Sequence, residues 1–323
     1  MHRPLIVFAL LVGCGGGGDK PIDAAIDVPV DVLIDAPPPP PGHHHYVLDT
    51  LLVPTNNNEA RDYGQDINGD TTIDNQLGMV IGTLASMGID AQGTVTHSLS
   101  VGSTISLVDL YANDFTTEPA ATVAMFVGAT PMPGACAGTS DTVCRHHLAG
   151  NATFTVPSGS PTNTPLTGAL VAGAMTTAPG HLAVPLSVFG SAPVLVTLIG
   201  AKIVLGQATD AHIAMMKIGG AITQTEIDTK VIPAMRDGFQ AAVAHDCTAL
   251  TSPPACGCAS GTNGKTYLGL FDTSPKDCSI SITEVKNNNL INSLLTPDVM
   301  VEGVQALSFG VKATAVNAGF VTP

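Results

Sequence analysis

The sequence has no tryptophan, only 4% aromatic residues, and only 12 lysines and arginines among its 323 residues. So few aromatic rings argue against a stacking platform for sugars or bases. Its 26 aspartates and glutamates give a formal net charge of −14. Nucleic acids and anionic membrane surfaces attract proteins through basic patches, so the charge argues against both as partners.

The sequence also lacks the short motifs of several common active sites. It contains no Gly-x-Ser-x-Gly nucleophile elbow, no His-Glu-x-x-His zinc motif and no Gly-x-x-x-x-Gly-Lys-Ser/Thr phosphate loop. A Ser-His-Asp triad assembled from distant residues, or a carboxylate pair among Asp109, Asp114 and Glu118, stays open. A secreted hydrolase without a motif is therefore an alternative function, although a non-enzymatic role is preferred.

After residue 13, no apolar stretch reaches 18 residues without a polar residue, glycine or proline, so no membrane-spanning helix is predicted. The N-terminal MHRPLIVFALLVG has a basic start and a short apolar run, which is typical of a secretory signal peptide over residues 1–13. The segment Leu11-Val12-Gly13-Cys14 resembles the lipobox of bacterial lipoproteins. This resemblance implies that Cys14 carries a lipid that anchors the protein in a membrane.

Residues 14–45 predict a disordered spacer. Aspartates recur at every fourth position from Asp19 to Asp35, prolines interrupt them, and the segment ends in His43-His44-His45. Proline disrupts helices, and mutually repelling carboxylates extend the chain. Such a spacer behind a lipobox resembles those of Gram-negative outer-membrane lipoproteins, on either the periplasmic or the outer face. Residues 46–323 follow as an exported globular domain, with a possible subdomain break near 150–165.

Six cysteines remain after Cys14, and an even number in an exported chain predicts three disulfides. Cys136 and Cys144 bracket a short loop and are expected to pair with each other. Cys256 and Cys258 are too close to bridge without strain, so each is expected to take Cys247 or Cys278. A four-cysteine zinc site is the alternative, but the C-x8-C-x-C-x19-C spacing lacks the usual C-x2-C pairs.

The body of the chain predicts an α+β fold, in which a mostly antiparallel β-sheet carries two or three helices and is stapled by disulfides. Thr223 with Glu226, and Ser281 with Glu284, start two predicted helices with capping-box spacing. The first is expected to end near His245 and the second to run toward Leu295. Strands bounded by Gly, Pro, Thr and Asn are predicted at 104–111, 121–127, 152–156, 181–189, 193–205 (with a bend at Gly200), 212–218 and 307–316.

The stretch DINGDTTIDNQLG, residues 66–78, places oxygen-bearing side chains on alternate residues. Over nine positions it resembles an EF-hand or dockerin-like calcium loop. The resemblance implies a calcium ion that stabilises the fold, with ligands from Asp66, Asn68, Asp70, the Thr72 carbonyl and Asp74.

The loop departs from that pattern at two positions. Thr71 stands where glycine is usual, and Leu77 where the bidentate acid is usual. A further acid must therefore come from nearby, with Asp62, Glu59 and Asp90 as candidates; Asp62 completes the predicted site. No helix is expected to enter the loop, because VPTNNNEARDYGQ is turn-like. The alternative is a polar turn in which Asp74 caps the following helix.

Two histidine runs, at 43–45 and 146–147, offer imidazoles that bind zinc, copper or nickel. Metal capture through them is a second alternative function. The preferred prediction is a cell-envelope lipoprotein, stabilised by calcium, whose domain binds a protein or a small molecule or has a structural role.

Overall fold

A computed structural model describes residues 39–86, 90–186, 193–247, 253 and 256–322. The predicted signal peptide, Cys14 and most of the predicted spacer lie outside the described residues. The described part contains twelve strands: β1 His43–Leu52, β2 Ser106–Tyr111, β3 Thr117–Val127, β4 Ala129–Met132, β5 Ala152–Thr155, β6 Leu166–Val171, β7 Ala174–Thr177, β8 Gly180–Leu186, β9 Val194–Ala208, β10 His212–Thr223, β11 Val299–Val301 and β12 Val304–Gly319.

Eight of these strands form a closed ring. They pair in the order β1-β2-β3-β6-β7-β9-β10-β12, and β12 also pairs with β1, which closes the ring. Within β12, residues 306–316 pair with β10 and residues 312–317 pair with β1. All pairings within the ring are antiparallel. The mostly antiparallel sheet predicted from the sequence is therefore confirmed, whereas its closure was not predicted.

Short strands extend the ring at its margins. β8 pairs with β9, β11 pairs with β12, and β5 pairs with both β4 and the end of β12. The contact of β5 with β12 is parallel. β3 and β6 pair directly with each other, so the sheet continues across the possible break at 150–165. β1 begins at His43, so the three histidines assigned to the spacer are part of the folded domain.

The predicted bend in β9 occurs at Gly200. This residue has a φ of +57°, and the register between β9 and β10 shifts beside it. A Cβ at this position would lie 2.6 Å from Cγ1 of Val301 and 3.3 Å from Cγ2 of Ile67. Only glycine combines this backbone conformation with so close an approach.

Alternate side chains of the ring strands separate into two clusters. Tyr46 and Leu48 of β1 belong to the main core, whereas Val47 between them belongs to a second cluster with Leu107 and Phe320. Successive side chains of a strand point to opposite faces of the sheet. The second cluster therefore covers the outer face of β1 and β2.

The described part contains seven helices, so the prediction of two or three helices was wrong. The helix α4 has three parts, Gln224–Glu226, the π-helical turn Ile227–Val231 and Ile232–Asp246. The others are α1 Asn57–Tyr63, α2 Gln76–Ser86, α3 Ala91–Ser100, α5 Asn263–Phe271, α6 Ile282–Asn287 and α7 Asn289–Leu294. None of the helices in the described ranges is both long and apolar enough to cross a bilayer.

The missed helices are short and have polar starts. α1 has only seven residues, and the side chain of Asn56 caps it by accepting hydrogen bonds from the amides of Asn58 and Glu59. The predicted helix from Ser281 is divided at Asn288. This residue ends α6 and caps α7, where its side chain accepts from the amides of Leu290 and Ile291. One asparagine thus converts a single predicted helix into two.

The two predicted capping boxes differ. At Ser281 and Glu284 both reciprocal hydrogen bonds are formed. At the start of α4, the Thr223 hydroxyl accepts from the Glu226 amide, but the Glu226 carboxylate accepts from the backbone amide of Thr197 on β9. That carboxylate therefore ties α4 to the ring instead of closing the box.

The three disulfides predicted from the cysteine count are confirmed. Cys136 pairs with Cys144, Cys247 with Cys258, and Cys256 with Cys278. This resolves the open alternatives for the second and third pairs, and it leaves no free thiolates among these cysteines for a zinc site. The Cys247–Cys258 pair links the end of α4 to the segment before α5.

Removing the Cys256–Cys278 disulfide by a double substitution to alanine should destabilise the domain. The bridge joins residues 22 positions apart, and closing a loop of that length stabilises a fold by about 3 kcal/mol, because the unfolded chain loses entropy. Urea unfolding at equilibrium should show a loss of that size. The matched double substitution at Cys136 and Cys144 removes a bridge that closes a loop of only 8 residues, so it should cost less. An equal or larger loss there would contradict the expectation.

Candidate functional site

A cavity of about 600 Å³ lies between one end of the ring and the helices. Neighbouring ring strands run in opposite directions, so the C-terminal end of β1, the start of β2 and the C-terminal half of β3 meet at this end. They contribute Leu48, Ser106 and Met125 to the wall. The strands β8, β10 and β12 also line the cavity, and the helices α2, α3, α4, α5 and α7 add residues that include Leu84, Val95, Met235, Tyr267 and Ile291.

The cavity wall is largely apolar, and several of its apolar side chains remain partly exposed. Leu51, Ile81, Val95 and Leu294 are half-buried residues that pack against the main core. Open apolar surface costs about 25 cal/mol per Å² relative to burial. A fold that keeps such a space open, at a volume within the usual range for ligand sites, has the form of a binding pocket.

Polar groups lie at the mouth of this cavity. Asp90 and His97 line it and are exposed. The Asp90 carboxylate accepts a hydrogen bond from the Gly93 amide at 2.7 Å and so caps α3. The helix α3 was not predicted from the sequence, because its residues AQGTVTHSLS have a weak apolar pattern. The cavity could not be anticipated without that helix.

The predicted calcium loop lies between α1 and α2, so a helix does enter it, contrary to the sequence prediction. Asp66 accepts hydrogen bonds from the amides of Gly69 and Thr71. Asn68 accepts from the Asp70 amide, and Asp70 accepts from the Thr72 amide. These side chains thus hold the loop as a series of local polar turns.

Asp74 stabilises the base of the loop. It is buried, its carboxylate accepts from the Ile67 amide at 3.0 Å, and its backbone pairs with that of Gln65. The capping role proposed for Asp74 belongs instead to Asn75, whose side chain accepts from the amide of Gly78. Burial raises the pKa of Asp74, and the charges of Asp66, Asp70 and Asp298 add to this effect. A cation at the loop would relieve that repulsion.

The acids considered for completing the calcium site have other partners. Asp62 lies 2.7 Å from Nζ of Lys312 and 3.7 Å from Nζ of Lys217, and these lysines lower the pKa of its carboxyl. Glu59 accepts from the amide and hydroxyl of Thr55, while Asp90 caps α3. The carboxylates of Asp66, Asp70 and Asp74 do not form one of the two described groups whose ligand atoms lie within 4.8 Å of one another.

One of those two groups consists of His43, His45 and Asp109. His43 and His45 are two residues apart on β1, and Asp109 stands opposite His45 on β2. The His43 Nδ1 lies 3.0 Å from each Asp109 carboxylate oxygen. The other group, Cys256, Asp272 and Cys278, contains a disulfide and therefore offers no thiolate.

His44 does not share the group formed by its neighbours. Its Nε2 lies 3.0 Å from the Ala112 carbonyl, and its Nδ1 lies 2.8 Å from an Asp210 oxygen. Strand alternation directs it to the opposite face from His43 and His45. Of the carboxylates considered for hydrolysis, Asp114 accepts from the Thr116 amide, and Glu118 accepts from Asn113.

The second histidine run is likewise divided. His146 is half-exposed and pairs with Asp141 at 2.9 Å. His147 is fully buried beside Phe154, and neither of its ring nitrogens has a hydrogen-bond partner within the described residues. Burial lowers the pKa of His147, and the charges of Arg145 and His146 lower it further.

Comparison with protein-family models, with curated proteins and with solved structures finds no match for this chain. Its function must therefore be argued from its own geometry, above all from the cavity.

Calcium is expected to raise the melting temperature of the protein. Extracellular calcium loops bind with millimolar affinity, so 10 mM calcium should add about 1.4 kcal/mol, or roughly 3 to 5 °C, relative to a chelator. Asp70→Ala should abolish this rise. Asp114→Ala removes a similar exposed aspartate, which also accepts from an amide two residues on, and should leave the rise intact. Identical melts with and without calcium would make the stretch a polar turn.

Acid is expected to destabilise the protein through His147. Because its pKa is lowered in the folded state, the unfolded chain takes up the proton first, and stability falls as the pH drops below about 6.5. His147→Phe should reduce this loss, by at most about 1.4 kcal/mol per pH unit. Urea unfolding at pH 7.5 and pH 5.5 measures it. An unchanged pH dependence in His147→Phe would contradict the expectation.

Proposed function

We propose that this protein is a cell-envelope lipoprotein whose exported domain binds an apolar ligand in the cavity, without catalysing a reaction. The observation that carries this proposal is the apolar cavity of about 600 Å³ between the ring and the helices. Its size is in the range of small-molecule sites. Its apolar walls favour a ligand such as an acyl chain over a sugar or a nucleotide.

The charge distribution restricts the polar end of such a ligand. Asp90 is the one acidic residue among the described lining residues, and His97 lies on the same helix at the mouth. The whole chain carries a formal net charge of −14. An anionic head group would therefore be repelled, so the ligand is proposed to have a neutral or cationic polar end.

The same geometry favours binding over hydrolysis. Hydrolysis by paired carboxylates requires two acids that converge on the substrate, but Asp90 has no acidic neighbour among the described cavity residues. His97 and Ser98 are adjacent on α3, and residues i and i+1 of a helix do not face each other. Neither arrangement supplies a nucleophile with its base.

The cellular location is proposed from the N-terminal sequence. A signal peptide over residues 1–13, a lipid on Cys14 and an extended spacer would hold the domain away from the outer membrane. Three disulfides agree with folding in an oxidising compartment. Calcium in the loop at 66–74 is proposed as a structural cofactor.

An uncharged fluorescent probe, N-phenyl-1-naphthylamine, tests the cavity directly. We expect saturable binding with one probe per chain. Val95→Phe fills part of the space, so it should weaken binding at least about tenfold, equivalent to about 1.4 kcal/mol. Because the new ring occupies existing space, the variant should melt at or near the wild-type temperature.

Val171→Phe is the matched control for this experiment. Val171 is 56% exposed on β6 and is not among the residues lining the cavity. Its substitution by phenylalanine increases the side-chain size by the same amount as Val95→Phe. It should bind the probe like the wild type. Equal weakening by both variants, or non-saturable binding by the wild type, would overturn the proposal.

A further inference from the structure

The outer face of the ring carries a second constellation, at the end opposite the cavity. His43 and His45 occupy the N-terminal end of β1, and Asp109 lies near the C-terminal end of β2. The register pairs His45 with Asp109 and His43 with Tyr111. The cavity is lined by the other end of these strands, at Leu48 and Ser106. The two features are therefore structurally separate.

The three side chains lie at distances that suit a shared metal ion. His43 Nδ1 lies 3.0 Å from Asp109 Oδ1, and His45 Nε2 lies 3.7 Å from the same oxygen. All three ligand atoms lie within 4.8 Å of one another. Ligands of a tetrahedral zinc ion are separated by about 3.3 Å, since each lies about 2.0 Å from the metal. Small side-chain movements therefore convert the observed positions into a ligand set.

His45 is the observation that points to a ligand. Its side chain is 1% exposed, yet neither ring nitrogen makes a hydrogen bond of ordinary geometry among the described residues; the ring has a weaker polar contact with the Phe320 backbone. Its ring is stacked on Phe320 with 4.0 Å between the ring centroids, which fixes its orientation. Buried polar nitrogens without partners are costly and rare. A metal ion bound through Nε2 would satisfy one of them.

The Asp109 carboxylate lacks a partner with a permanent positive charge among the ion pairs described for it. Its side chain is only 10% exposed, and the ion pairs described for it involve the two histidines and no lysine or arginine. A buried carboxylate needs a compensating positive charge. A divalent cation between Asp109 and the two imidazoles would supply that charge.

We infer that His43, His45 and Asp109 form a binding site for a divalent transition-metal ion of the zinc class. Two imidazoles and one carboxylate are ligands that such ions accept. His43 is about one-third exposed, so the ion reaches the site from the side of His43. One coordination position of the ion remains open to water. His44, although it is part of the same run, takes no part.

Isothermal titration with Zn²⁺ tests this inference on the full chain, purified without a polyhistidine tag and stripped of metal. The wild type should bind one zinc ion at the site that the three residues form. Loss of a residue that merely orients a metal ligand costs about 10- to 100-fold in affinity. Removal of a direct ligand by His45→Phe or Asp109→Asn should therefore weaken binding at least about a hundredfold.

His44→Gln is the matched control, because it removes the adjacent imidazole of the same run. It should leave the zinc affinity unchanged. His45→Phe keeps a ring against Phe320, and Asp109→Asn keeps the shape of the side chain; thermal melts establish that each variant is folded. If one fails to fold, the other variant decides, together with the visible spectrum of Co²⁺ bound to the wild type.

Several outcomes would overturn the site. They are the absence of zinc binding by the wild type, full binding by Asp109→Asn, or equal loss in His44→Gln. The last would indicate that zinc is captured by the whole histidine run and not by the group His43, His45 and Asp109. Binding of the apolar probe provides an independent readout, because Asp109→Asn should leave the cavity intact. Failure of the metal site is thereby distinguished from failure of the proposed ligand-binding function.

Discussion

The pairing of β12 with both β1 and β10 is the constraint on which the other features depend. β1 lies near the start of the domain and β12 at its end, and their contact converts an open sheet into a ring. The entropic cost of closing so long a loop grows only slowly with chain length. Hydrogen bonds and the burial of apolar side chains from all eight strands offset this cost.

Closure determines which side chains can meet. Within β1, Tyr46 and Leu48 enter the main core, whereas His45 and Val47 face outward. Asp109 on β2 shares that outward face with His45. A slip of one residue in the register between β1 and β2 would place His45 and Asp109 on opposite faces. The proposed metal site therefore exists only in this register.

The cavity depends on a second layer, the helices that cover one end of the ring. Phe239 of α4 is stacked on Phe271 of α5 at 4.6 Å between centroids and also contacts Tyr267. The Cys247–Cys258 and Cys256–Cys278 bridges tie these helices to the segments beside them. These bridges restrain α4 and the segments that flank α5, and both helices line the cavity. The histidine group lies on a different part of the ring and needs none of these contacts.

The sequence by itself determined the local features. Capping at Ser281, the bend at Gly200 and the antiparallel strands follow from short-range chemistry, and the number of cysteines indicated three disulfides. Only the tertiary structure decided which distant groups meet. It joined Cys256 to Cys278, placed Asp109 opposite His45, and assembled the cavity around the unpredicted helix α3. Such contacts link residues that are tens to hundreds of positions apart, and they arise from sheet register and helix packing, which local patterns do not encode.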